Sequence, residues 1–103
     1  MATVKLYYVT FPDRDAMADV TGQLLDDHLV ACVNSFPVGS VYWSDGETER
    51  RGEVGAFLKT ADGAGEELQQ RLEEEHPYDV PEILELEVSA NRSYADWVES
   101  NTE

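Results

Sequence analysis

Glu75-His76-Pro77-Tyr78-Asp79-Val80-Pro81-Glu82 decides how the second half of this chain is laid out. Proline disfavours a helical conformation in the residue before it, so His76 and Val80 are both pushed towards extended backbone. A charged helix must stop here, and a strand must open beyond Glu82. The stretch also gathers a histidine, a tyrosine and carboxylates in one turn. It reads either as a rigid helix-to-strand corner, with His76 satisfying a helix end, or as a ligand or metal contact held on a stiff loop.

Downstream of the corner, Ile83 to Val88 alternates as a strand, with Leu84, Leu86 and Val88 expected inside and Glu85 and Glu87 outside. Asn91-Arg92-Ser93 reads as a turn, and Ser93 with Asp96 as a capping box for a short final helix bearing Tyr94, Trp97 and Val98. Upstream, Asp62 is placed to cap a helix with Glu66 and Glu67 in its first turn and Ala64, Leu68 and Leu72 inward. Glu73-Glu74-Glu75 reads as its solvated face.

The first half opens with a strand from Thr3 to Thr10, apolar on both of its faces. Asp13 is a plausible cap for a helix reaching about His28, striped with Ala16, Met17, Val20 and Leu24. A strand follows from Val30 to Phe36; Pro37 and Gly39 are expected to interrupt or bulge it before it resumes at Val41-Tyr42-Trp43. Asp45-Gly46 is a hairpin-turn signal, because such turns need positive φ at their central residues. The return strand runs from Glu47 to Thr60, which makes the hairpin long.

The order β-α-β-β-α-β with an added helix is that of a ferredoxin-like α+β domain spanning residues 1–103. Two main helices can cover only one side of a four-stranded sheet. Leaving Tyr7, Val9 and Phe57 wet would expose more apolar surface than monomers usually carry, so a second copy of the chain is expected to cover it.

Charge narrows the partners. Of 103 residues 22 are acidic and 7 basic, a net charge of −15 that repels nucleic-acid phosphates and anionic membranes. No apolar run is long enough to span a bilayer. Cys32 is the single cysteine, which excludes an intramolecular disulfide and argues for a reducing, cytoplasmic setting.

Several residues bear chemistry. Cys32 reads as a small buried hydrophobe or as a nucleophile, the latter requiring a base such as His76 within reach. No glycine-rich phosphate loop or nucleophile elbow supports an enzyme. Arg50-Arg51 is expected to be salt-bridged, as is Lys59 by default. Alternatively Cys32, Tyr42, Trp43, Lys59, Tyr78 and Glu82 line a small-ligand cleft between subunits, although for Tyr42 and Trp43 the reading as interface anchors is preferred.

Read together, Thr10-Phe11-Pro12-Asp13, Leu29-Val30-Ala31-Cys32-Val33-Asn34, Val41-Tyr42-Trp43-Ser44-Asp45-Gly46, Leu58-Lys59-Thr60 and His76-Pro77-Tyr78-Asp79-Val80-Pro81-Glu82-Ile83 resemble the CutA family of divalent-cation-tolerance proteins. The resemblance covers nearly the whole chain. It implies a ferredoxin-like subunit in a tight homotrimer with hairpins crossing to neighbours, a PII-like architecture, and a role in tolerance or binding of divalent cations, copper among them. Copper-binding members carry a cysteine before the Thr-x-Pro-Asp segment and a histidine before His-Pro-Tyr, where this chain has Val9 and Glu75. The metal ligands implied here are therefore His76 and Glu75, a set shifted towards harder ions. A PII-like sensor or scaffold binding a small ligand at subunit clefts is the alternative.

The acidic surface predicts a protein suited to a salt-rich setting, since salt screens its self-repulsion. Chemical unfolding at millimolar and molar NaCl should show higher stability at high salt; equal stability in both contradicts this.

Overall fold

A computed structural model of the chain describes residues 1–102. The elements run β1 (Ala2–Phe11), α1 (Arg14–Asp26), β2 (Cys32–Ser44), β3 (Glu47–Thr60), α2 (Gly65–Glu75), β4 (Ile83–Ala90) and α3 (Arg92–Ser100). The strands form one sheet in the order β2-β3-β1-β4, antiparallel at every pairing. This is the ferredoxin-like arrangement, with α1 and α2 on one face and α3 on part of the other.

The local signals act largely as their chemistry dictates. Asp13 caps α1, its Oδ1 accepting from the Ala16 N–H at 2.8 Å. The helix ends at Asp26, before His28, because His28 adopts a left-handed conformation with φ of 58°. The His28 and Leu29 N–H groups then donate to the Leu25 and Leu24 carbonyls, a Schellman closure with histidine where glycine is usual. The His28 ring bonds the Asn101 carbonyl at 3.1 Å, so it ties this corner to the C-terminal end of α3.

Asp45 and Gly46, with φ of 50° and 82°, form the tight turn between β2 and β3. Contrary to the expected break at Pro37 and Gly39, β2 is continuous and pairs residue for residue with β3 from Cys32↔Lys59 to Ser44↔Glu47. An edge strand tolerates proline because only one of its sides feeds a ladder. Strands of 13 and 14 residues reach roughly 45 Å at ~3.4 Å per residue, and the molecule's longest dimension is 45 Å. Since β1 pairs with β3 only from Val54 onward, residues 47–53 and their partners on β2 form a two-stranded arm. Its Val41 and Trp43 are 59% and 76% exposed.

Other expected caps are replaced. Asp62 opens a 3-10 turn over Asp62–Ala64, and α2 starts at Gly65 without a side-chain cap. Asn91 precedes α3 and Ser93 lies within it, so there is no capping box.

The main core lies between the sheet and α1 and α2, where Tyr7, Val9 and Phe11 of β1 meet Val20, Leu24, Leu58, Leu68 and Leu72. Tyr7 and Val9 are thus fully buried, against the expectation that they lie on the uncovered face. Glu85 and Glu87 lie on the helix-covered side, where Lys5 holds Glu85 at 2.9 Å and the Tyr7 hydroxyl donates to it at 2.5 Å. On the opposite face α3 seats Ala95 and Val98 on Val4 and Val88. Beyond α3 that face carries Leu6, Tyr8, Phe36 and Phe57 half-buried, with Leu84 and Leu86 at 50% and 45% exposure. The phase of the sheet differs from the expectation; the surplus of apolar surface does not.

Two glycines give opposite tests of this packing. A Cβ at Gly65 would lie 2.6 Å from the buried Tyr7 hydroxyl, whereas one at Gly22 meets nothing within 4 Å. Gly65→Ala should cost ~1–3 kcal/mol by overpacking, and Gly22→Ala should gain ~0.5–1 kcal/mol of helix stability. Denaturant midpoints of the two variants check both signs.

Candidate functional site

The proline-bracketed corner is built around its histidine. His76 leaves α2 in extended conformation, φ −69° and ψ 138°, while its backbone N–H still donates to the Leu72 carbonyl. The ring is buried against Phe11, with centroids 4.9 Å apart. Nε2 lies 2.7 Å from the Thr10 carbonyl and Nδ1 3.0 Å from the Tyr78 N–H. A carbonyl can only accept and an amide can only donate, so the ring is neutral with its proton on Nε2. Burial pushes the His76 pKa down, against the bond to Thr10 and the charge of Glu53, which push it up.

This geometry bears on the metal ligands expected at His76 and Glu75. Both ring nitrogens of His76 are already bonded within the chain. Glu75 pairs through Oε2 with Arg71, which also reaches Asp27 at 2.9 Å, while Glu75 Oε1 is buried without a hydrogen-bond partner. Val9, at the copper-ligand position, is fully buried and apolar. Among the described residues no three of His, Cys, Asp and Glu converge as a metal-binding group. Within one chain, the residues at this corner do not fit a divalent ion.

What the corner does place is Tyr78. Its hydroxyl donates to Glu53 Oε2 at 2.6 Å, and the Arg51 guanidinium lies over its ring at 5.5 Å. Burial, then the bond to Glu53, push the Tyr78 pKa up to about 12. Arg51 is itself held above its usual range, first by the Tyr42 hydroxyl beside it. It stacks on an aromatic ring and makes no ion pair among the described residues, where a salt bridge was expected. Arg51 and Glu53 near the root of the arm and Tyr42 further along it, with Tyr78, Val80 and Glu82 from the corner, line a cleft of about 570 Å³. Tyr8 borders this region: its pKa is raised first by burial and then by the charges of Glu82 and Glu53.

The six residues expected in one cleft are therefore divided. Tyr42, Tyr78 and Glu82 converge. Trp43 projects from the arm into solvent. Cys32 and Lys59 face each other at the other end of the hairpin, ten residues and ~34 Å along β2 from Tyr42. There Lys59 bonds Asn34 instead of a carboxylate, approaches the Cys32 sulfur at 3.9 Å and sits 5.9 Å above the Tyr94 ring. Nor does one chain bring His76 to Cys32. His76 binds β1 at Thr10, whereas Cys32 lies level with Leu6 through Lys59, ~14 Å away along β1 alone.

The sequence reading assigns Arg51 a salt bridge, not a place in the cleft, and gives Glu53 no role. The tight turn at Asp45-Gly46 fixes the register Tyr42↔Glu49, Ser40↔Arg51 and Val38↔Glu53, which puts both on the Tyr42 face. That pairing was the available signal.

A depressed His76 pKa sets a direction for stability against pH. The folded state holds the ring neutral, so its contribution is complete above the ordinary value of 6.5 and is lost as pH falls through the lower folded value. His76→Gln should be less stable than the parent at pH 8, and that gap should narrow below about pH 6. A gap independent of pH in urea melts contradicts the neutral, doubly bonded ring.

Comparison with known proteins agrees with this architecture. The family model described as CutA1 divalent ion tolerance protein matches residues 5–101. The divalent-cation tolerance protein CutA of Pyrococcus horikoshii is 41% identical over 98 residues, covering 94% of this chain and 96% of that one. The apo PII-like protein CutA of Nostoc sp. PCC 7120 superposes with a TM-score of 0.90 at 34% identity, covering 96% and 97% of the two chains. These relatives are named as tolerance or PII-like proteins, not as enzymes. The expected cytoplasmic setting is overturned. The Archaeoglobus fulgidus structure, with a TM-score of 0.93 at 27% identity over 97% of this chain and 99% of that one, is described as periplasmic. The Oryza sativa relative, 33% identical over 92% of this chain and 55% of its own length, is chloroplastic. One unpaired cysteine therefore does not fix the compartment. Among the described residues no helix is long and apolar enough to cross a membrane. On the span of the matched model, the shared fold and the identity of its relatives, this chain belongs to the CutA1 divalent ion tolerance protein family.

Proposed function

We propose that the chain works as a homotrimer in divalent-cation tolerance, and that its ligand-responsive element is the cleft at the root of the hairpin arm. The observation that carries this reading is the commitment of both His76 ring nitrogens to the fold, while Tyr42, Tyr78 and Glu82 remain gathered around open space. A cleft of about 570 Å³ is of small-ligand size. The PII-like relative supports a sensor or scaffold role in place of a resident copper centre. Copies of the chain are the natural cover for Leu6, Tyr8, Phe57, Leu84 and Leu86, and for an arm too thin to be stable alone. Trp43 and Val41 are its anchors on a neighbour, since a large exposed aromatic flanked by apolar surface is the usual centre of an interface.

Calorimetric titration with Cu²⁺, Zn²⁺ and Mg²⁺, and thermal-shift measurement with small organic ions, test the assignment on the parent, His76→Ala and Tyr42→Ala chains. Ligand-induced stabilisation should be lost in Tyr42→Ala and retained in His76→Ala, after allowing for the lower starting stability of the latter. Divalent-ion binding retained in Tyr42→Ala and abolished in His76→Ala would return the function to the histidine.

A further inference from the structure

The cleft at the arm root has a charge pattern that indicates what it holds. Its charged lining consists of Arg51, Glu53 and Glu82. The balance is one negative charge, within a protein of net charge −15. An anion entering here would meet two carboxylates and the field of the whole molecule, with one guanidinium to oppose them. Glu82 makes no ion pair among the described residues, so its carboxylate is available to an incoming donor.

The seat is also shaped for a particular kind of cation. Tyr78 offers a ring face whose hydroxyl is fixed by Glu53 at 2.6 Å, and the chain's own Arg51 places a guanidinium over that ring at 5.5 Å. Aromatic faces backed by carboxylates attract cations of diffuse charge. Arg51 is in effect a tethered example of such a ligand. A bare divalent ion is a poorer match. Mg²⁺ or Ca²⁺ needs about six or more oxygen ligands close together, whereas one of the two carboxylates here is engaged by Tyr78 and much of the wall is Tyr42, Tyr78 and Val80. Zn²⁺ or Cu²⁺ takes imidazole or thiolate, of which the lining has none.

We propose that this cleft binds a small organic cation, a guanidinium or ammonium head on an aliphatic stem, and that Arg51 occupies the head's place when the ligand is absent. The head lies against Tyr78 and within reach of Glu82, and the stem runs along Val80. Arg51 is therefore a competitor that sets the threshold for binding. This inference rests on the reading that the cleft is the ligand-responsive element.

The test is calorimetric titration of the full chain with agmatine, inorganic phosphate and Mg²⁺, using the parent, Arg51→Ala and Glu82→Gln, with near-ultraviolet circular dichroism confirming that each variant keeps its fold. Arg51→Ala should bind agmatine about tenfold more tightly than the parent, and Glu82→Gln about tenfold more weakly. Agmatine binding that weakens or is unchanged in Arg51→Ala overturns the proposal. So does phosphate binding that depends on Arg51, or Mg²⁺ binding that depends on Glu82 without agmatine binding; both would leave the cleft as the ligand site. If no probe shows binding sensitive to Glu82 or Arg51, the cleft reading falls with it.

Discussion

Central to this structure is a sheet with apolar residues on both faces and helices enough for little more than one. β1 runs through the interior of the sheet, sending Tyr7, Val9 and Phe11 towards α1 and α2 and Val4, Leu6 and Tyr8 the other way. α3 covers Val4 and Val88 and sets Tyr94 beneath Lys59 of β3, but leaves Leu84 and Leu86 half exposed. The remainder is a patch in which Tyr8 stacks on Phe36 and Phe57 tilts against both, with centroids 5.3 to 6.3 Å apart. Gly55 makes that cluster possible, because a Cβ there would sit 3.0 Å from Phe36 and 3.1 Å from Tyr8. Burying a side chain of this size is worth ~1.5–3 kcal/mol, so a face of six such residues is a strong incentive to associate.

The proline-bracketed corner transmits this architecture to the candidate site. His76 joins three pieces: its backbone closes α2, Nε2 holds the end of β1 at Thr10, and Nδ1 orients Tyr78. Tyr78 in turn meets Glu53 and Arg51 at the root of the arm. Within one chain, a residue suggestive of metal chemistry is thus a structural rivet that fixes the position of a tyrosine. The cleft exists because the corner and the hairpin are pinned to each other at this point.

Much of the fold was legible because its punctuation is strong. Asp13 as cap, Asp45-Gly46 as turn, and the proline pair at the corner each permit one local conformation, and each acts accordingly. The sheet's phase was not legible, for a physical reason. When both faces of β1 are apolar, period-two alternation does not say which face the helices take. β4 compounded the difficulty, since an edge strand can turn Glu85 towards the helix layer where Lys5 and Tyr7 satisfy it. Pro37 misled because its cost depends on whether β2 lies at the edge, which is a property of the whole sheet. In the site, Tyr42, Tyr78 and Glu82 were found by residue type, whereas Arg51 and Glu53 required the hairpin register. Cys32 and Lys59 match the cleft by residue type alone; the length of β2 separates them from it.

Sedimentation equilibrium of the full chain at micromolar concentration, in molar salt where self-repulsion is screened, is the most direct measurement of whether the uncovered face is shared between copies. A mass three times the 11.5 kDa of one chain is expected. A mass of 11.5 kDa, with Leu84 and Leu86 open to solvent, would contradict the central constraint from which the assembly and its role are inferred.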